Sequence, residues 1–260
     1  MRVPGDAIER AVKAIIEEVR RQARALVELP EGEDVTVEIV HDEPWLAFCE
    51  YRGDLRSTIS VNGELPSSAI ELLTLAIHET YPGHHTERCC KEQALVRRLG
   101  LLEEALVLVP TPQSLVAEGI AMVAPWLLLE GDGAAALADV VRRQAGVDFD
   151  LDLALAVGRA LEPCRWANLN AALMLHDAGA KESEAQAYLE RWGLLAPDMA
   201  AHVIRFLQEP TSRTYIITYL AGRDLTRAYV GADMARFGHL LTEQVRVGEL
   251  LAAGGDITPP

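Results

Sequence analysis

Basic residues are scarce in this chain: 24 lysines and arginines stand against 39 aspartates and glutamates in 260 residues, a formal net charge of −15. A surface that negative repels phosphate backbones and anionic lipid, so neither nucleic acid nor a membrane is an expected partner. The four cysteines, Cys49, Cys89, Cys90 and Cys164, lack C-x-x-C spacing. The adjacent Cys89-Cys90 is a poor disulfide prospect, so the thiols read as buried and reduced, as in a cytoplasmic protein. There is no low-complexity tract, no internal repeat and no long linker, and no apolar run reads as long enough to span a membrane. The opening segment, MRVPGDAIERAVKAIIEEVRR, lacks the apolar core of a secretory signal and reads as an amphipathic helix. What is present is an ordinary globular composition, half of it hydrophobic. One domain over residues 1–260 would bury roughly 70–75% of its unfolded surface. The oligomeric state is not legible.

Hydrophobic spacing divides that domain into three parts. Residues 6–28 carry Ala7, Ile8, Val12, Ile15, Ile16, Val19, Ala23 and Val27 on one helical stripe. Residues 35–62 are β-like, with VTVEIV, WLAFCEY and LRSTISVN separated by the turn chemistry of HDEP and RGD. In the last of these, Leu55, Ser57, Ile59 and Val61 alternate with Arg56, Thr58, Ser60 and Asn62, a strand with one wet face. From 67 to 251 the chain reads as helical. Ser68-x-x-Glu71 is a capping box and Thr111-Pro112 a cap followed by proline. Further helices are expected near 132–145, 150–177, 181–192, 197–208, 213–230 and 233–251. The expected fold class is mainly α with a small antiparallel β-sheet, an α+β domain.

The densest chemistry lies in HETYPGHHTE, His78 to Glu87, with three histidines and two glutamates around a Pro-Gly pair. It nearly contains the zinc signature H-E-x-x-H, but Pro82 stands where the second histidine should be. A zinc site needs imidazoles or carboxylates converging at about 2.0–2.2 Å from one ion. On a regular helix only i and i+4 achieve this, and His84 and His85 would stand about 9–10.5 Å along the axis from His78. Pro82 removes an N–H and Gly83 tolerates unusual dihedrals. A bulge or kink holding two extra residues therefore brings His84 to the i+4 place, leaving His85 as alternative ligand or as a group behind the site. Glu118, alone in the apolar run VAEGIAMVA, is costly to bury without a positive partner, and Gly119 beside it allows close helix approach. His78, His84 and Glu118 make a His₂Glu set for Zn²⁺, with Glu79 free as general base. The alternative is a histidine-rich helix end facing solvent and a buried glutamate paired with arginine.

These residues resemble the "domain of unknown function 885" family, relatives of the thermolysin-like, gluzincin-type zinc peptidases. That family carries H-E-x-x-P-G-H-H-x-Q, matched by His78 to Thr86 with Glu87 in place of the glutamine. Its E-G-W-A-L-Y-A-E corresponds to Glu118-Gly119 followed by a divergent stretch. His176, Gly179, Ala185 and Tyr188 fall at the offsets of a third motif, although Asn168 and Ala172 replace its Arg and Asp. Arg205-Phe206, Pro210 and Tyr219-x-x-Gly222 resemble a fourth, with a longer spacing after the proline. The likeness spans about residues 55–230, and because family members are usually longer, the chain resembles a short version.

The resemblance implies a zincin-like architecture and a zinc-dependent metallopeptidase acting on a peptide or small amide substrate. Tyr219 and His176 become candidate oxyanion donors. Arg223, one turn beyond Tyr219, becomes a candidate holder of a substrate carboxylate, unless it faces solvent. LRSTISVN, containing Ser60, becomes the edge strand to which a peptide backbone would add. Two other readings stand beside it: a metal-binding or degenerate zincin fold without turnover, and a zinc hydrolase of another amide or ester.

Overall fold

The computed structural model describes residues 3–43, 45–64 and 68–254. Pro44 of the HDEP turn and position 67, the expected start of the helical body, lie outside them. Helix α1 (Gly5–Ala23) buries Ala7, Ile8, Ala11, Val12, Ile15, Ile16, Val19 and Ala23, the stripe its sequence period dictates. It ends at Ala23 rather than residue 28, because Ala25 N and Leu26 N turn back to Gln22 O and Ala23 O and tighten the chain into turns.

Strands β1 (Asp34–Val40), β2 (Ala47–Gly53) and β3 (Arg56–Asn62) form a sheet in the order β1-β3-β2. β2 runs antiparallel to β3, as the short RGD turn requires, but β1 is parallel to β3, so the sheet is mixed rather than antiparallel. The physical reason lies in burial. β3 has Ser57, Thr58, Ile59, Val61 and Asn62 all buried, whereas β1 and β2 alternate between half-buried and exposed positions. The strand with most surface to hide takes the middle. The expectation of a wet-faced edge strand over LRSTISVN is therefore overturned. Ser60 pairs with Glu38 on one side and Phe48 on the other, and its strand has no open edge for a substrate.

Helix α2 (Ala69–Glu79) opens on the expected capping box, with Glu71 N donating to Ser68 Oγ and Ser68 N to Glu71 Oε2. Its Leu72, Leu73, Ala76 and Ile77 share one core with α1 and the sheet. Helix α3 (His84–Lys91) follows and runs into a π-helical turn, Glu92–Arg97. Thr111 caps α4 (Pro112–Leu129) as expected. By length and composition α4 is apolar enough to cross a membrane, contrary to the sequence reading, but most of it is buried inside the fold as a core helix.

The remaining helices are α5 (Ala134–Ala145), α6 (Leu151–Leu161), α7 (Trp166–His176), α8 (Glu182–Trp192), α9 (Pro197–Gln208), α10 (Ile216–Val230), α11 (Met234–Thr242) and α12 (Val247–Gly254). The single helix expected over 150–177 is broken by a 3₁₀ turn, Glu162–Arg165, at Pro163, which has no N–H to continue the ladder. The one expected over 233–251 is likewise divided between α11 and α12.

α4 crosses α10 at two glycines. A Cβ on Gly119 would sit 2.1 Å from Thr226 Oγ1 and 2.5 Å from the Gly222 carbonyl oxygen. Backbone-to-backbone contact here sets how closely α10 can present its tyrosines to Glu118. Gly119→Ala is expected to destabilise the protein by about 1–3 kcal/mol through overpacking. Gly158→Ala in α6, where a methyl meets nothing within 4 Å, should instead gain roughly 0.5–1 kcal/mol of helix stability. Urea midpoints of the two variants should move in opposite directions.

Candidate metal centre

The last turn of α2 carries His78 and Glu79, and the chain then breaks sharply. Thr80 Oγ1 donates to Ala76 O at 2.6 Å, and Thr86 N donates back to Thr80 O at 3.2 Å. Gly83 is packed so tightly that a Cβ there would lie 1.9 Å from the His78 carbonyl oxygen. No other residue fits this position without moving α2. The expected bulge within one helix is thus a full break: α2 stops, Tyr81-Pro82-Gly83 turn, and α3 begins at His84.

The break brings the His78 and His84 rings to 4.7 Å, edge to face. Glu118, 4% exposed on α4, reaches both. Its Oε1 lies 3.3 Å from His84 Nε2 and its Oε2 lies 3.5 Å from His78 Nε2. One ligand atom from each of the three residues falls within 4.8 Å of the others. Two ligands bonded to one zinc at tetrahedral angles stand about 3.4 Å apart, so the spacing suits a cation better than it suits direct hydrogen bonds. Glu118 Oε2 is buried with no hydrogen-bond partner, the state of a carboxylate oxygen reserved for a ligand. The donor set of two imidazoles and one carboxylate therefore fits a divalent metal such as zinc.

The electrostatics describe how the group balances itself without a cation. Burial pulls the His84 pKa down, but the Glu118 carboxylate outweighs it and, with Glu79 and Glu87, raises it to about 9. Burial would push Glu118 upward, yet His84 and His78 hold it well below the usual carboxylate range. Tyr215, which the sequence reading missed, donates its phenol O–H to Glu118 Oε1 at 2.6 Å. The available signal was the spacing of Tyr215 and Tyr219, four apart on one helix face. Tyr219 stacks edge-on against Tyr215 at 5.3 Å and lies 6.5 Å from the His78 ring. Burial, with Glu118 and Tyr215 adding, raises its phenol pKa well above the ordinary value.

The other predicted residues go elsewhere. His85 is not an alternative ligand, because successive helix positions diverge by about 100° and its ring points into the core. Its Nδ1 lies 2.7 Å from Ser57 Oγ and its Nε2 lies 3.1 Å from Glu33 Oε2. Tyr81 O–H and Arg20 Nε also donate to Glu33, so α1, β3 and α3 are tied together behind the site. Glu87 is wholly buried between Arg88 and Lys91. Although burial acts to raise it, these cations lower its pKa to about 2. His176 is held by Leu207 O at 2.8 Å and is not one of the three clustered residues. Arg223 does not face solvent. It is buried, with Nη1 3.1 Å from Glu162 Oε1 and Nε donating to Asp224 Oδ1 at 2.7 Å, so it is already neutralised.

A His-His-Glu group buried at the junction of α2, α3 and α4 in a mainly helical α+β fold is the class the geometry defines. No family model and no curated protein matches the chain. Among solved structures it is similar to the crystal structure of a "putative lipoprotein" from Colwellia psychrerythraea, with a TM-score of 0.66 at 18% identity over 97% of this chain. The chain spans only 44% of that protein's length. At this identity the likeness shows a shared fold.

Two outcomes test the centre. Zinc titration should saturate at one equivalent in the parent and in His85→Ala, and fail in His84→Ala. His85→Ala should lose about 1–3 kcal/mol of stability from its orphaned partners instead. A folded-state His84 pKa of about 9 lies above the unfolded value, so its stabilisation of the metal-free protein is complete at low pH and is lost as pH rises through about 9. Melting in chelator should therefore drop across pH 7 to 9, while zinc affinity, which competes with that proton, rises over the same window.

Proposed function

We propose that this chain is a zinc-dependent hydrolase, a metallopeptidase of zincin-like architecture that cleaves short peptides. The observation that carries the reading is the convergence of His78, His84 and Glu118, with Glu79 immediately beside them. The resemblance of HETYPGHHTE and Glu118-Gly119 to the "domain of unknown function 885" family supports it, as does the way the Pro-Gly break restores the histidine spacing.

Zn²⁺ bound by these three residues would supply Lewis acidity and acidify a water molecule. Glu79 is buried, with its Oε1 4.0 Å from His78 Nε2, and serves as the base that takes the water's proton and passes it to the leaving amine. Tyr215 fixes the Glu118 carboxylate through Oε1, the kind of support that orients a ligand. Tyr219, kept as an O–H donor by its raised pKa, stabilises the oxyanion. A peptide that adds to the sheet must use an outer strand, β1 or β2. The reading places the chain in reducing, cytoplasmic surroundings, because Cys49, Cys89, Cys90 and Cys164 lack the spacing of a disulfide framework.

A second reading, a metal-binding protein without turnover, draws on the withdrawal of His176 and Arg223 from the metal group. Glu79→Gln is expected to keep one zinc and lose roughly 10²–10⁴-fold in hydrolysis of a peptide library. Parent protein that loads zinc and cleaves no peptide, but does cleave simple esters or other amides, would move the assignment to those substrates. Loading without any turnover would favour the silent protein, and failure to load would overturn every hydrolytic reading.

A further inference from the structure

Next to the metal group lies a cleft of about 350 Å³ that the chemistry above does not use, walled by α7 and the start of α10. From α7 come Leu169, Ala172, Leu173 and His176, spaced as one helix face. From the other side come Arg213, Thr214, Ile216 and Ile217. Most of the lining residues are apolar, and Leu173 is half exposed there. The volume is at the small end for a ligand site and accommodates one leucine- or phenylalanine-sized residue rather than a long chain.

The charge of the cleft has one sign. Arg213 is exposed and, among the described residues, has no carboxylate within ion-pair distance, in contrast to Arg223 with its two. α10 opens at Ile216 with no side-chain cap, since its flanking residue Tyr215 is not a capping type and its phenol bonds Glu118. Thr218 N already donates to Tyr215 O, so the positive end beside Arg213 comes from the N–H groups of Ile216 and Ile217. His176 Nε2 is engaged by Leu207 O at 2.8 Å. An uncapped helix start, an unpaired arginine and an apolar hollow converge on one ligand chemistry: a carboxylate on a short apolar body.

We infer that this cleft recognises the free C-terminal carboxylate of a peptide with an apolar last residue. Arg213 and the first turn of α10 hold the carboxylate, and Leu169, Leu173, Ile216 and Ile217 hold the side chain. Thr214 and Ile216 line the cleft while Tyr215 between them bonds the metal-site carboxylate. The cleft is thus on the order of 10 Å from the metal group, about two or three residues of extended peptide. The function expected of Arg223 falls to Arg213, and the enzyme acts close to a free C-terminus. The peptide assignment rests on the hydrolase reading; the carboxylate cleft does not.

The test uses the zinc-loaded Glu79→Gln protein, so that binding is read without turnover. Its probes are acetyl-Ala-Ala-Leu, the same peptide as C-terminal amide, and decanoate. The free acid should bind at least about tenfold more tightly than the amide, shifting the methyl resonances of Leu169, Leu173, Ile216 and Ile217. Arg213→Gln should abolish that preference and leave the zinc content unchanged. Equal binding of acid and amide, or a preference that survives in Arg213→Gln, overturns the proposal. Decanoate displacing the peptide from the same methyls overturns the peptide assignment in favour of a fatty-acid carboxylate. Acid-selective, Arg213-dependent binding in a protein whose parent cleaves no peptide leaves the cleft standing and removes the hydrolase reading. Cleavage of amidated and free peptides at equal rates does the reverse.

Discussion

Everything near the centre of this molecule is arranged around one buried carboxylate. Glu118 sits in the apolar middle of α4, where an unpaired charge would cost several kcal/mol. Two imidazoles and the Tyr215 phenol make it tolerable. Those partners come from α2, α3 and α10, so the requirement to satisfy one side chain fixes where three other helices must stand.

The glycines are the steric counterpart of that electrostatic demand. Gly119 and Gly222 let α10 approach α4 until backbone meets backbone, which brings Tyr215 within hydrogen-bond reach of Glu118. Gly83 lets the chain fold over the end of α2 with no room for a Cβ, which places His84 against His78. Behind this, the Glu33–His85–Tyr81–Arg20 network anchors α3 to α1 and the sheet. Adjacent histidines thus do opposite work, one facing the cluster and one holding the helix that presents it. The acidity of the whole chain is compatible with such a site, since carboxylates around His84 favour a positive occupant, whether proton or metal.

Much of the fold was legible. The α1 stripe, the caps at Ser68 and Thr111 and the helical body follow from local periodicity and hydrogen-bond chemistry, which neighbours rarely override. Strand order was not legible, because parallel pairing of β1 with β3 depends on which strand hides most surface once all three are present. The breaks at Pro163 and before α12 were missed because apolar spacing continues across them. For the site, His78, His84 and Glu118 could be picked out as charges in apolar or broken surroundings. Tyr215 could not be separated from core tyrosines, and the inward turn of His85 and the engagement of Arg223 by Glu162 are contacts between distant segments.

The donor types, the helix ends that carry them and the need for a break at Pro82-Gly83 are written into the amino-acid order, because they follow from local sterics and from the cost of a lone buried charge. Packing settles which of two neighbouring histidines meets Glu118, which strand lies in the middle of the sheet, and that Arg223 is spent on Glu162 while Arg213 is left beside an open cleft. Those outcomes depend on the distances between side chains far apart in the chain, and such distances exist only once the helices have packed.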